Sequence, residues 1–359
     1  MTAQRILICL LDFSRGGTER IAIGLAASWT DAGRDVTILC GTEQGGLRDL
    51  VDPRVKVVAV EPPMQRGLLT RWRLGRAMAR QVKKLKPDVI FLPGNFHFFL
   101  APALRRADPR VIIVLKISNP PLPGGLAFAK AAFRHFTRDV DGFAAMNFGL
   151  ARELEALLPG RNIVTLHDPV YLRLRAARPQ GDGNRNILWI GRLEPQKDPQ
   201  LALETIQAMD SSVMLTMLGD GALYTRIQQQ IRAMGLENRV KLVGYAPEIE
   251  SHLVAADALL ITSRYEGGPA VAVEALSAGV PVVSTDCSFL LHDLMEVPQA
   301  GKIVASRNPA DLAAALTAVC DAPRPSRDVL ARLVTPFEPR HCAKAYLDLF
   351  EALRKGRYG

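Results

Sequence analysis

Short apolar runs alternate along this chain with longer stretches in which apolar residues recur every three or four positions. In the first half the runs Ile6–Leu11, Val36–Cys40, Val55–Val60, Val89–Leu92, Val111–Leu115, Gly142–Met146 and Ile163–Leu166 read as strands. They are rich in Val, Ile and Leu on both faces, as strands of a covered parallel sheet are. Helical patterns lie between most of them, among them Glu19–Trp29 and Thr70–Leu85. A polar stretch, Ala176 to Arg185, carries the Pro, Gly and Asn of a linker. The rhythm then restarts with Ile187–Ile190, Val213–Leu218, Val240–Val243, Ala258–Ile261 and Val280–Ser284, and helices are expected at Ala310–Val319 and His341–Arg354. Strand–helix alternation predicts parallel, doubly wound sheets. Two α/β domains in series are expected, over 1–170 and 171–340, followed by a helix over 341–359, with a cleft between the domains.

The 359 residues suit two domains of ordinary size. A hydrophobic share of 48% with 23% charged residues is that of a globular chain. No apolar run approaches the roughly 20 residues that span a bilayer, and Ile6–Leu11 is too short for a signal-peptide core. A cytoplasmic protein is expected. The five cysteines are scattered without C-x-x-C spacing, which argues against a disulfide framework and against a zinc site.

Charge changes the picture more. Residues 1–170 hold 24 Lys and Arg against 15 Asp and Glu, whereas residues 171–359 hold 21 of each. The whole excess of nine lies in the first half. Between Glu61 and Asp88 stand Arg66, Arg71, Arg73, Arg76, Arg80, Lys83, Lys84 and Lys86 with no acid among them, alongside a helical stripe of Trp72, Leu74, Met78, Val82 and Leu85. The stripe reads as core. The basic face suits an anionic membrane surface, so peripheral contact with the inner face of the cytoplasmic membrane is expected. No nucleic-acid motif accompanies the charge, and nucleic acid is not expected as a partner.

The candidate chemistry sits in the strand-to-helix loops. Glu266-Gly-Gly-Pro-Ala-Val-Ala-Val-Glu274 sets two carboxylates eight positions apart around a helix start. Pro269 is placed in its first turn, and the turn Gly268-Pro269-Ala270-Val271 offers free amides to a phosphate. Gly191-Arg192-Leu-Glu-Pro-Gln-Lys197-Asp198 follows the first strand of the second half and supplies two cations for phosphate oxygens. Gly219 in Leu218-Gly-Asp-Gly221 allows close backbone approach, and Tyr245 follows Val240–Gly244. Gly16 and Gly17 link the first strand to the first helix.

These segments resemble the acid-x7-acid, G-R-L-x-x-x-K-D, L-G-x-G and G-G-x-E-[RK] motifs of retaining family 4 glycosyltransferases, densely from Gly191 to Asp286 and more loosely before. The resemblance implies a GT-B fold of two Rossmann-like domains, a C-terminal helix over 341–359 that crosses back to the first, and neither a required metal nor a resident cofactor. It implies transfer of a sugar from a nucleotide-diphosphate donor, UDP-sugar favoured, with retained anomeric configuration. The acceptor would be lipid-linked (a polyprenyl carrier) or a polysaccharide, in cell-surface glycan synthesis. Arg192 and Lys197 would neutralise the diphosphate, Glu274 would hold the ribose, Glu266 a hydroxyl of the transferred sugar, Gly16 or Gly17 the sugar or its phosphate, and Tyr245 would flank the base. Family members often carry a His after the fifth strand. Here that loop reads Lys116-Ile-Ser-Asn119-Pro, so Asn119, Lys116 or His97 is expected in its place. Two rivals stand beside this: a nucleotide-sugar epimerase or sugar phosphorylase of the same fold, and a non-catalytic polyanion-binding protein.

Overall fold

The computed structural model describes residues 3–14, 16–64, 70–119, 127–171, 185–323 and 325–358. The chain divides into two compact units, Met1–Pro169 together with Phe337–Gly359, and Val170–Pro336. Most of the linker stretch, and Arg66 of the basic run, lie outside the described residues, as do the side chains of Arg71 and Trp72.

The first unit is built on seven strands: β1 (Arg5–Leu10), β2 (Asp35–Cys40), β3 (Lys56–Ala59), β4 (Val89–Leu92), β5 (Ile112–Ile117), β6 (Gly142–Ala145) and β7 (Ile163–Thr165). They lie in the order β3-β2-β1-β4-β5-β6-β7, every pair parallel. Successive side chains of a strand face opposite sides, so one apolar run feeds two cores. Leu7, Cys9, Ile90, Leu92, Ile113 and Leu115 face one, with Leu74, Met78 and Val82 from the helix Thr70–Leu85. Ile6, Ile8, Leu10, Phe91, Ile112 and Val114 face the other, against the helix Gly17–Asp31 and the C-terminal helix Pro339–Tyr358.

Leu74, Met78 and Val82 of the basic helix's stripe are therefore core, with Leu85 partly buried against them. The helix's other face exposes Arg73, Arg76, Arg80, Lys83 and Lys84. Among the described residues none of these five is paired with a carboxylate.

The second unit holds β8 (Arg185–Ile190), β9 (Val213–Leu218), β10 (Val240–Gly244), β11 (Ala258–Ile261), β12 (Val282–Thr285) and β13 (Gly301–Val304). Their order is β10-β9-β8-β11-β12-β13, again all parallel. Leu201 and Ile206, Ile227 and Ile231, and Leu312 and Leu316 pack from three helices against Trp189, Leu215, Met217 and Leu260. β13 has no counterpart in the strand pattern read from the sequence. It is an edge strand of four residues, Gly-Lys-Ile-Val, only its last residue buried, so no apolar run announces it.

Both sheets reverse strand order once, the first between β1 and β4 and the second between β8 and β11. In open parallel sheets the loops beyond the carboxyl ends of the strands diverge at such a reversal and leave a crevice for ligands.

Candidate active-site loops at the sheet switch points

In the second unit the loops after β8 and β11 flank the reversal, and they carry Arg192, Lys197 and Glu266. Three backbone bonds tie the neighbouring loops: Gly191 N–H to Leu218 O at 3.0 Å, Leu193 N–H to Asp220 O at 2.9 Å, and Gly219 N–H to Gly244 O at 2.8 Å. Gly219 has φ +146°, and a Cβ there would overlap the Gly191 carbonyl. This glycine lets the β9 loop close against the β8 loop.

Lys197 and Glu266, 69 positions apart in sequence, meet in an ion pair between Nζ and Oε1. Their side chains are only 19% and 10% exposed. Ser263 Oγ donates to the same Oε1 at 2.6 Å, and the Glu266 N–H donates to Cys287 O at 2.7 Å. The carboxylate is thus fixed on one oxygen. Arg192 is different: its side chain is 65% exposed and donates to Glu194 Oε1 at 2.8 Å. It stands at the edge of the loop with its reach unspent on the core.

Asp198 anchors this arrangement in a left-handed conformation (φ 47°, ψ 61°) and caps the helix Pro199–Gln207. Arg307 donates to Asp198 Oδ2 at 2.8 Å, to Thr262 O at 2.8 Å and to Ser263 O at 2.9 Å. Arg264 also pairs with Asp198 Oδ2, at 2.7 Å. Thr262 Oγ1 donates within reach of both Lys197 O (2.9 Å) and Asp198 O (2.8 Å). Sequence patterns did not single out Arg307 or Ser263. Arg307 acts on two backbone carbonyls and the distant Asp198 carboxylate, and Ser263 on the Glu266 carboxylate three positions on.

The helix Ala270–Ser277 starts one residue later than the sequence placed it. Pro269 is its cap residue, in an extended conformation, rather than part of the first turn. Ala272, Val273, Ala275 and Leu276 are buried, so Ala270, Val271 and Glu274 form the outward stripe, with Glu274 half-buried. Gly268 is half-buried just before it, and Tyr245 is exposed beyond β10. Cys287 lies near Lys197 and Glu266. Burial pushes its thiol up, against a lowering by the Ser284 hydroxyl, so it remains protonated near neutral pH. No group of three or more His, Cys, Asp or Glu able to hold a metal ion occurs among the described residues.

In the first unit the reversal falls between the loops after β1 and β4. Gly16 caps the helix Gly17–Asp31; Gly17 is exposed, and a Cβ on it would meet nothing within 4 Å. A Cβ on Gly94 would come within 2.9 Å of Thr18 Cγ2, which shows how closely the two loops approach. Asn95 joins the β4 and β5 loops, accepting from Ser118 N–H at 3.0 Å and donating to Asn119 O at 2.8 Å.

Of the three candidates for the missing His, Asn119 is exposed, and its carbonyl is the group that Asn95 holds. His97 is buried, with Nδ1 3.3 Å from Gly94 O. Lys116 is 1% exposed and committed inside: its Nζ donates to Ser118 Oγ at 2.6 Å and to Asp168 Oδ2 at 2.9 Å. Asp168 was not legible as its partner, since 52 positions separate the two.

Residues 16–168 match the family model described as "Glycosyl transferase 4-like domain", and residues 173–332 match "Glycosyl transferases group 1". The chain belongs to the group 1 glycosyltransferases. A curated relative, the glycogen synthase of Mycobacterium tuberculosis, is 27% identical across 95% of this chain and 92% of its own length. The lipopolysaccharide 1,6-galactosyltransferase of Salmonella typhimurium is 25% identical over 54% of this chain and 60% of its own. Among solved structures, Anabaena HepE in complex with UDP superposes with a TM-score of 0.80 at 17% identity, covering 97% of this chain and all of that one. The apo lipopolysaccharide galactosyltransferase WaaB gives 0.78 at 18% identity, covering 96% and 99%. The fold of this glycosyltransferase is GT-B.

Proposed function

We propose that this glycosyltransferase is a retaining hexosyltransferase. It takes a sugar from a nucleotide-diphosphate donor, UDP-sugar favoured, and delivers it to a lipid-linked or polysaccharide acceptor in cell-surface glycan synthesis. The observation that carries this proposal is the meeting of Lys197 and Glu266 at the β8/β11 reversal, a cation for phosphate beside a carboxylate for hydroxyls. A structural neighbour solved with UDP and a relative named for galactose transfer support the donor class.

Each residue then has a task. Lys197, Arg192 and the amides of Gly268, Ala270 and Val271 oppose the charge that develops on the leaving diphosphate. Gly219 admits the nucleotide close to the backbone, Tyr245 flanks the base, and Glu274 accepts from the ribose hydroxyls. Glu266 accepts from a sugar hydroxyl through Oε2, the oxygen not occupied by Lys197 and Ser263. Within the first unit, Gly16 and Gly17 are the candidates for contact with a sugar or a phosphate, with Asn119 and His97 on the neighbouring loops of that unit. The C1–O(phosphate) bond breaks as the bond from C1 to the acceptor oxygen forms on the same face. The acceptor proton passes to the departing phosphate. Metal and cofactor play no resident part in this scheme, since side-chain cations and amides meet the leaving charge. Glu274→Gln should weaken the free nucleotide several-fold by calorimetry; unchanged nucleotide affinity would remove Glu274 from the ribose.

The acceptor reading extends to the first unit. The five exposed cations of the helix Thr70–Leu85, each worth about 1 kcal/mol near an anionic surface, suit peripheral docking on the inner face of the cytoplasmic membrane. Flotation should show binding to anionic vesicles that falls with salt and with charge reversal at Arg73, Arg80 and Lys84. Equal partition to neutral and anionic vesicles, or none to either, would favour a soluble polysaccharide acceptor.

A further inference from the structure

Lys197 is paired within the protein itself. Its partner is Glu266, whose Oε1 also receives Ser263 Oγ at 2.6 Å. Both charges are largely shielded from water, so their attraction is stronger than that of an exposed pair. A bare nucleoside diphosphate arriving here meets a lysine whose charge is offset and a carboxylate that repels it. A nucleotide sugar brings something more, a hydroxyl that Glu266 can accept. Of its other described neighbours, Ser263 is neutral and the Cys287 thiol stays protonated.

We propose that Glu266 is a product-release element as well as a sugar contact: by holding Lys197 and opposing the diphosphate, it makes the bare nucleotide leave once the sugar has gone. This rests on the donor-site reading above. While the sugar is attached, its hydroxyl engages Glu266 and the lysine is shared with the diphosphate. After transfer the hydroxyl departs with the sugar. Glu266 then retains Lys197 and Ser263, and the free diphosphate is left with a counter-charge that the carboxylate offsets. The same arrangement discriminates substrate from product in the binding step, so spent nucleotide competes poorly for the site.

Opposite signs follow from one nearly isosteric change. Glu266→Gln should bind the bare nucleoside diphosphate about fivefold more tightly, the order expected for a partly exposed charge a few ångströms from a phosphate. The same variant should bind the nucleotide sugar no better, and transfer should fall. A second variant needs no change at Glu266. Because Lys197 is already offset, Lys197→Ala should lower bare-nucleotide affinity less than twofold or so in the native background, and about fivefold or more in the Glu266→Gln background.

Calorimetry on the full chain with UDP and UDP-glucose, GDP and GDP-mannose, and ADP and ADP-glucose makes the comparison, with unfolding midpoints confirming that each variant is folded. Tighter UDP, GDP or ADP in Glu266→Gln, with the Lys197 cost enlarged there, supports release by Glu266. Bare nucleotide bound unchanged or more weakly in Glu266→Gln, or lost outright in Lys197→Ala alone, overturns it and leaves the donor site standing. Binding of none of the six compounds by the native chain brings down the donor-site reading and the release proposal with it.

Discussion

Replacing Lys197 with alanine is expected to lower turnover at saturating acceptor by about 2–4 kcal/mol of transition-state stabilisation, roughly 30- to 1000-fold. In the proposed transfer the leaving diphosphate gains charge as the C1–oxygen bond breaks, and a positioned cation in a partly dry site counts for more there than in water. Lys197 is such a cation: Glu266 holds it, and its backbone N–H is bonded to Glu194 O at 3.0 Å. Arg192→Ala is expected to cost less, because that side chain is largely exposed and already offset by Glu194. The loss at Lys197 should fall on kcat more than on nucleotide affinity, since the interaction strengthens only as charge develops. Near-native rates in both variants would remove the pair from the diphosphate.

Trp29→Ala is expected to produce the largest loss of stability, about 3–5 kcal/mol. The ring is fully buried in the first unit. It meets Phe91 and Phe350 edge-on at centroid distances of 5.4 and 5.3 Å, and Tyr346 at 6.0 Å. Its Nε1–H donates to Ala343 O at 3.1 Å, which ties the helix Gly17–Asp31 to the C-terminal helix. Alanine would leave a cavity among three aromatic rings and remove the side-chain bond that joins the two helices. Trp29→Phe keeps most of the packing and should cost less than half as much. A urea midpoint in Trp29→Ala within error of the native one would mean that the C-terminal helix is held by other contacts, such as Arg34 to Glu351 at 3.0 Å.

Most strands were legible because a covered parallel strand needs apolar residues on both faces, as Ile112–Ile117 and Val213–Leu218 show. The edge strand Gly301–Val304 needs far fewer, and the pattern passed over it. The loops holding Arg192, Lys197 and Glu266 were legible because their residue types and spacings recur together. What each side chain touches was not. Lys197 finds Glu266 only because β8 and β11 are neighbours in the sheet, a fact of strand order. Arg307 follows the missed edge strand and acts mainly on carbonyls, which leave no trace in residue type. Lys116 was weighed as a site residue, yet its place on a buried strand commits it to Ser118 and Asp168.

The claim that a nucleotide-diphosphate sugar occupies the switch-point loops of the second unit is tested most directly by thermal unfolding of the native chain against a panel of UDP-, GDP- and ADP-sugars. A ligand that binds only the folded chain raises its unfolding temperature by mass action, by about 2.7 kcal/mol of apparent stability at a hundredfold excess over Kd. One base should raise the midpoint clearly above the other two, UDP-sugars foremost. No shift with any of the three at millimolar concentration would contradict it.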